Sequence, residues 1–159
     1  MSDGAAPYRP VSFGPYEAKV TALDAGGFRL QARQPLAPYP ERFTVHLARW
    51  AAERPDHTFL ARRSATEGRP WLRLSFAETL RHVRALGQAM LDLGLSAERP
   101  LVILSGNDFE HALLTLAALH VGVAVAPVSP SYSLLDPGAA RVTHAVKLLT
   151  PGLVYACLL

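Results

Sequence analysis

The chain has 159 residues, half of them apolar and 18% charged, with a formal net charge of +3. That length suits one domain or slightly more, able to bury roughly 70% of its unfolded surface, and the composition excludes a wholly disordered, collagen-like or disulfide-stapled chain. The positive residues are fourteen Arg and only Lys19 and Lys147, spread along the chain, so the charge marks no nucleic-acid footprint.

The first forty residues carry Pro7, Pro10, Pro15, Pro35, Pro38 and Pro40, with β-like pieces at Ala18 to Leu23 and Gly27 to Ala32. Asp24-Ala25-Gly26-Gly27 between them has the composition of a hairpin turn. Residues 1–40 read as a Pro-rich N-terminal arm with a hairpin. It is set apart from 41–159 by the stiff run Pro35 to Pro40.

From Arg42 the period changes. Phe43, Leu47, Trp50 and Ala51 recur at i, i+4, i+7 and i+8, the stripe of an amphipathic helix that ends where Arg54 precedes Pro55. His57 to Arg62 and Trp71 to Leu74 read as two short strands joined by a polar turn from Ser64 to Pro70. Ser75 and Glu78 stand at capping-box spacing. Leu80, Val83, Leu86, Met90 and Leu91 give the buried stripe of the next helix, and Gly94 its left-handed stop.

The second half alternates β-α-β-α-β. Leu101 to Leu104 is a continuous apolar run, the pattern of a strand buried on both faces. Asn107 or Asp108 can cap a helix to about His120, Val123 to Val128 is the next strand, and Pro130 to Asp136 is a loop. A helix around Ala139 to Leu149 and a strand from Leu153 to Ala156 follow. This rhythm predicts a parallel α/β layer. The chain stops inside an apolar strand, Leu153 to Leu159, an edge that natural domains rarely leave bare, so the expectation is the front part of something longer.

No apolar leader is visible, and the most apolar stretch, Ala112 to Val128, is broken by His120, Gly122 and Pro127. The expectation is a cytoplasmic chain that meets no membrane and no nucleic acid, with nothing to specify an oligomeric state. Cys157 is expected to be a small buried hydrophobe.

Chemistry is sparse. There is no Walker-type phosphate loop, no G-x-G-x-x-G after a strand and no G-x-S-x-G elbow. The six histidines do not pair with one another, with Cys157 or with an acid at metal spacing, so no metal site and no catalytic residue is assigned. Two places at strand ends are candidates for ligand contact. The turn Ser105-Gly106-Asn107 could bring backbone amides near an anion at a helix start, with His111 just beyond. Ser129 and Tyr132 lie in a hydroxyl-rich loop at the end of a strand, where ligands gather in open α/β sheets. Plain connection, turn chemistry and a core or surface histidine are the competing explanations.

Several phrases resemble the acyl-adenylate-forming (AMP-dependent synthetase and ligase) superfamily. Arg54-Pro55-Asp56-His57-Thr58-Phe59-Leu60 is similar to its opening segment, Leu74-Ser75-Phe76-Ala77-Glu78 to its "T/S-Y-x-E-L" phrase, and Gly122 to Pro130 to its "G-x-x-x-x-P-x-N-P" strand, with Ser129 in place of Asn. The wording of Pro35 to Pro40, Leu104 to Asn107, His111 to Leu114, Ala126 to Leu134 and Leu148 to Val154 resembles the feruloyl-CoA synthase subfamily. The resemblance covers about Gln34 to Ala156. It implies an incomplete N-terminal part of an acyl-adenylate-forming large domain: a parallel β-α-β-α-β layer preceded by short β and helical pieces, with 41–159 a truncated AMP-binding domain. It further implies an enzyme that joins a small carboxylic acid, ferulate or a related hydroxycinnamate, to CoA by way of an acyl-adenylate. ATP, Mg2+ and CoA would serve the complete enzyme, and none is expected to bind this piece tightly. The family's phosphate loop and catalytic lysine have no counterpart here, so the piece alone is expected to be inactive. A non-catalytic nucleotide- or acyl-binding module and a non-functional remnant are the alternatives.

Overall fold

The computed structural model describes residues 17–135 and 139–157, together with Val11 and Gly14. The chain divides into two compact units, Met1–Tyr39 and Pro40–Leu159.

In the first unit, β1 (Ala18–Ala22) and β2 (Phe28–Ala32) form an antiparallel hairpin in which Val20 faces Leu30 and Ala22 faces Phe28. The chain reverses where the Leu23 N–H donates to the Gly27 carbonyl at 3.1 Å, with Gly26 and Gly27 both at positive φ. Because strand side chains alternate between faces, Ala18, Val20, Ala22, Phe28, Leu30 and Ala32 share one side. All of them are exposed.

The second unit begins with α1 (Thr44–Glu53), which stops before Pro55 with the Arg54 N–H donating to the Trp50 carbonyl at 2.8 Å. An antiparallel ribbon of β3 (Thr58–Arg63) and β4 (Trp71–Ser75) follows. At the start of α2 (Phe76–Asp92) the capping box is complete: the Glu78 N–H donates to Ser75 Oγ at 3.2 Å and the Ser75 N–H to Glu78 Oε2 at 2.8 Å. The Ser75 N–H first, and then the Ser75 hydroxyl, hold the Glu78 carboxyl below its usual range. The helix closes in a Schellman arrangement, Gly94 at φ +69 with its N–H on the Leu91 carbonyl and the Leu95 N–H on that of Met90.

Strand β5 (Leu101–Leu104) is almost wholly buried, as its unbroken apolar run predicts. It is flanked by β6 (Val125–Pro127) and β7 (Leu153–Ala156) in a parallel sheet of order β6-β5-β7. Helix α3 (Phe109–Val121) connects β5 to β6. A single turn α4 (Ser131–Leu134) and helix α5 (Ala140–Leu149) connect β6 to β7. The first crossover runs from central β5 to edge strand β6 and the second back across β5 to β7, and right-handed connections then place α3 and α5 on opposite faces. The α3 face carries the core: Leu47 of α1, Leu80, Val83 and Met90 of α2, and Leu113, Ala117 and Ala118 of α3 close over Leu101 and Ile103. No residue of α5 is buried. The fold is therefore an α/β one with a parallel layer preceded by small β and helical pieces.

The structure departs from the sequence reading in four places. The expected loop from Pro130 contains α4, held by the Leu134 N–H on the Pro130 carbonyl, while Asp136 lies outside the described residues. The strand expected over Val123 to Val128 is only three residues long. Phe43 and Leu91 do not join their buried stripes, being 68% and 48% exposed. Cys157 is exposed, because β7 is an edge strand and its end is uncovered.

Candidate functional site

Parallel pairing brings strand ends together. Leu104 pairs with Ala156 and Ile103 with Pro127, so the chain leaves β5, β6 and β7 at one edge of the sheet. Two further bonds extend the ladders, from the Val128 N–H to the Ile103 carbonyl at 2.9 Å and from the Cys157 N–H to the Leu104 carbonyl at 3.2 Å. Since β6 and β7 flank β5 on opposite sides, the edge is a point where the winding direction changes, the usual ligand crevice of open α/β sheets.

Gly106 and Asn107 occupy the turn after β5, and His111 the first turn of α3. Asp108 is the cap of that helix, its Oδ1 accepting the His111 N–H at 3.2 Å. The position where an anion would meet the helix amides is thus taken by the chain's own carboxylate. The His111 ring meets Ser105, with Nδ1 3.0 Å from Ser105 Oγ, and the same hydroxyl lies 3.2 Å from the Gly106 carbonyl. One hydroxyl proton serves one acceptor. In the tautomer whose Nδ1–H is donated to Ser105, that proton goes to Gly106 and Nε2 keeps an open lone pair. Ser105, the first residue of the candidate turn, is buried. Asn107 borders a recess of about 190 Å³ with Arg62, Asp108 and Phe109. The Arg62 guanidinium lies 5.3 Å from the Phe109 ring centroid.

Ser129 and Tyr132 sit at the end of β6 and in α4. The Ser129 and Ser131 hydroxyls are 2.9 Å apart, the Tyr132 N–H donates to the Ser129 carbonyl, and Arg141 lies over the Tyr132 ring at 5.5 Å. The structure thus joins His111 to the Gly106 turn and Tyr132 to Ser129 along one sheet edge. Among the described residues no hydrogen bond joins His111 or the Gly106 turn to Ser129 or Tyr132.

The β7 side of the edge is acidic. Burial pushes the Tyr155 phenol up, and the nearby Cys157, Asp108 and Glu110 add to the shift. Pairing β7 with β5 brings these groups close, which no sequence spacing reveals. Among the described residues no group of three or more His, Cys, Asp and Glu side chains stands together to hold a metal ion. The edge can orient a polar ligand through hydroxyls and an imidazole, but it holds no lysine to steady a phosphate.

The sequence matches the model of the AMP-binding enzyme family over residues 47–155. The chain belongs to that family. The match spans the unit from α1 to β7. Similar solved structures include a fatty acyl-adenylate ligase from L. pneumophila in complex with acyl adenylate and pyrophosphate (15% identity, TM-score 0.60, covering 71% of this chain and 19% of that one). Another is the acetoacetyl-CoA synthetase from Streptomyces lividans (22% identity, TM-score 0.61, covering 72% of this chain and 17% of that one). The chain therefore spans under a fifth of the length of either protein, and shares its fold over that part. No match is found among curated proteins. No helix among the described residues is long and apolar enough to cross a membrane.

Proposed function

We propose that this chain is the N-terminal portion of an ATP-dependent acid–CoA ligase that adenylates ferulate or a related hydroxycinnamate and transfers it to CoA, acting in the cytoplasm without membrane or nucleic-acid partners. The observation that carries the reading is the AMP-binding match over residues 47–155, on a unit with a winding change at the sheet edge. In this reading 41–159 is part of the AMP-binding domain and 1–40 an appended arm. Gly106, Asn107, His111, Ser129 and Tyr132 line the ligand edge, and the carboxylic acid, ATP, Mg2+ and CoA are handled by the complete enzyme. The ferulate assignment rests on the phrases from Pro35 to Val154 that resemble feruloyl-CoA synthase.

The residues present do not fit magnesium nucleotide on their own, since among the described residues the edge has no acidic cage and no phosphate-holding lysine. Charge developing on a transferring phosphoryl group would have nothing to stabilise it. The purified 159-residue chain is expected to show no hydroxycinnamate-dependent exchange of pyrophosphate into ATP, and measurable exchange overturns that expectation. The test of the larger reading is the intact gene product isolated from cells. A protein several hundred residues long that forms AMP faster with ferulate than with acetate supports it. A 17.2 kDa product, or one indifferent to aromatic acids, removes the enzyme or its substrate.

A further inference from the structure

Away from the sheet edge, α1 and α2 leave between them an open groove of about 450 Å³. Its floor is mostly alanine, including Ala52 of α1 and Ala77 of α2, with Leu80 beneath. The charged part of its lining is Arg81 and Arg84 of α2, both exposed, and no acidic side chain lines it among the described residues.

These two charges are left uncompensated. Arg81 and Arg84 stand three positions apart, so they share one face of the helix and repel. Arg84 has Leu80, Arg81, Gly87 and Gln88 as its neighbours three and four positions away, none of them acidic. Arg81 has Glu78 one turn before it, but that carboxylate is committed to the Ser75 cap. Neither arginine makes an ion pair among the described residues.

Shape and charge together narrow the occupant. The lining from Ala77 to Arg84 runs about 10 Å along α2, the span of two helical turns. A floor of methyl groups lets a second helix approach closely. A second copy of this chain would set the same two arginines against each other across a two-fold contact. A helix with an apolar seam and carboxylates one turn apart beside it meets both the shape and the charge.

We propose that the α1–α2 groove is a docking surface for an acidic amphipathic helix of a partner protein, its seam over Ala52 and Ala77 and its carboxylates on Arg81 and Arg84. None of these residues belongs to the sheet edge, so the inference stands or fails apart from the ligase reading.

The probe is a fluorescein-labelled, end-blocked peptide of two heptads, about 14 residues, with leucine and alanine on one face and glutamate on the other. Its anisotropy should rise along a saturating curve in the micromolar range at low salt, and the affinity should fall several-fold when salt is raised. A scrambled peptide of equal charge, and one with lysine for glutamate, should not saturate. Arg81→Gln combined with Arg84→Gln should weaken binding about tenfold, the loss of two exposed ion pairs. Ala52→Leu adds bulk to the groove from an exposed position and should abolish saturation with the helical circular dichroism unchanged. Absence of saturation by the glutamate peptide overturns the proposal, as does equal binding of the scrambled peptide or affinity untouched in both folded variants. Sedimentation of the chain with phosphatidylglycerol vesicles, abolished by the arginine substitutions, would assign those charges to a lipid surface and overturn it too.

Discussion

Gly87 lies mid-way along α2, and a Cβ there would stand 2.7 Å from Val121 Cγ1 on α3. Two effects oppose one another at this position. Alanine gains about 1 kcal/mol of helix propensity over glycine, while overpacking a filled contact costs about 1–3 kcal/mol. Val121 is β-branched and stiff at χ1, so it cannot swing clear and the clash wins. Gly87→Ala is expected to lower the urea midpoint despite its better propensity. His120 carries the second residue-scale expectation. Its Nδ1 lies 3.0 Å from the Oγ1 of the fully buried Thr44, and the Arg42 guanidinium donates to its carbonyl at 3.3 Å. Burial first, then the charges of Arg42 and Arg84, lower its pKa from the ordinary 6.5. The unfolded chain therefore takes up the proton first as pH falls. The stability that neutral His120 contributes is intact above pH 6.5 and lost on acidification through 6.5 towards the lower folded value. Tm plotted against pH should fall across that window, and His120→Gln should flatten the drop. An identical fall in both proteins sinks the assignment.

At the scale of elements, α2 ends well and α5 does not. The glycine after α2 adopts the left-handed conformation freely, but the cap of α5 is Thr150 at φ +43, a β-branched residue where glycine or asparagine belongs. Thr150→Gly is expected to raise the Tm, by the equivalent of about 1 kcal/mol, in a thermal melt of the whole chain; no change or a fall contradicts it. The strong elements were legible because their signals are local: Ser75 and Glu78 announce a helix start within four residues, and Leu101 to Leu104 reads as a buried strand without knowledge of its partners. The turn α4 was hidden by Pro130 and three serines, which favour loops and short helical turns equally. The contact of Trp50 with Phe76 was hidden for a different reason. Helical period assigns Phe43 and Trp50 to one stripe, yet what Trp50 meets, Phe76 with Phe59 against it, comes from elements whose packing no spacing specifies.

For the molecule as a whole, the sequence announces the α/β rhythm but not the order β6-β5-β7. That order decides which groups of the candidate site share an edge. His111 meets Ser105 through local geometry, one turn of helix away, so its place beside the Ser105-Gly106-Asn107 turn is legible from sequence. Tyr155 approaches Asp108 and Glu110 only because β7 lies beside β5, across the whole of α3, β6 and α5. The core is lopsided for the same reason. Helices α1, α2 and α3 cover one face of the sheet, while α5 buries none of its side chains.

The central position of β5 also sets a timetable. On a ribosome the N-terminal side of a chain emerges first, so Leu101 to Leu104 leaves the tunnel with α2 finished and neither flank of the strand paired. Its β6 neighbour arrives one helix later, and the β7 neighbour only after a second, oppositely directed crossover. Pairings so far apart in sequence are slow to close, and until they do, the most apolar strand of the protein offers both edges to any chain nearby. A nascent chain stalled before Leu153 would therefore carry its greatest aggregation hazard in a segment that is almost wholly sheltered once synthesis has passed it.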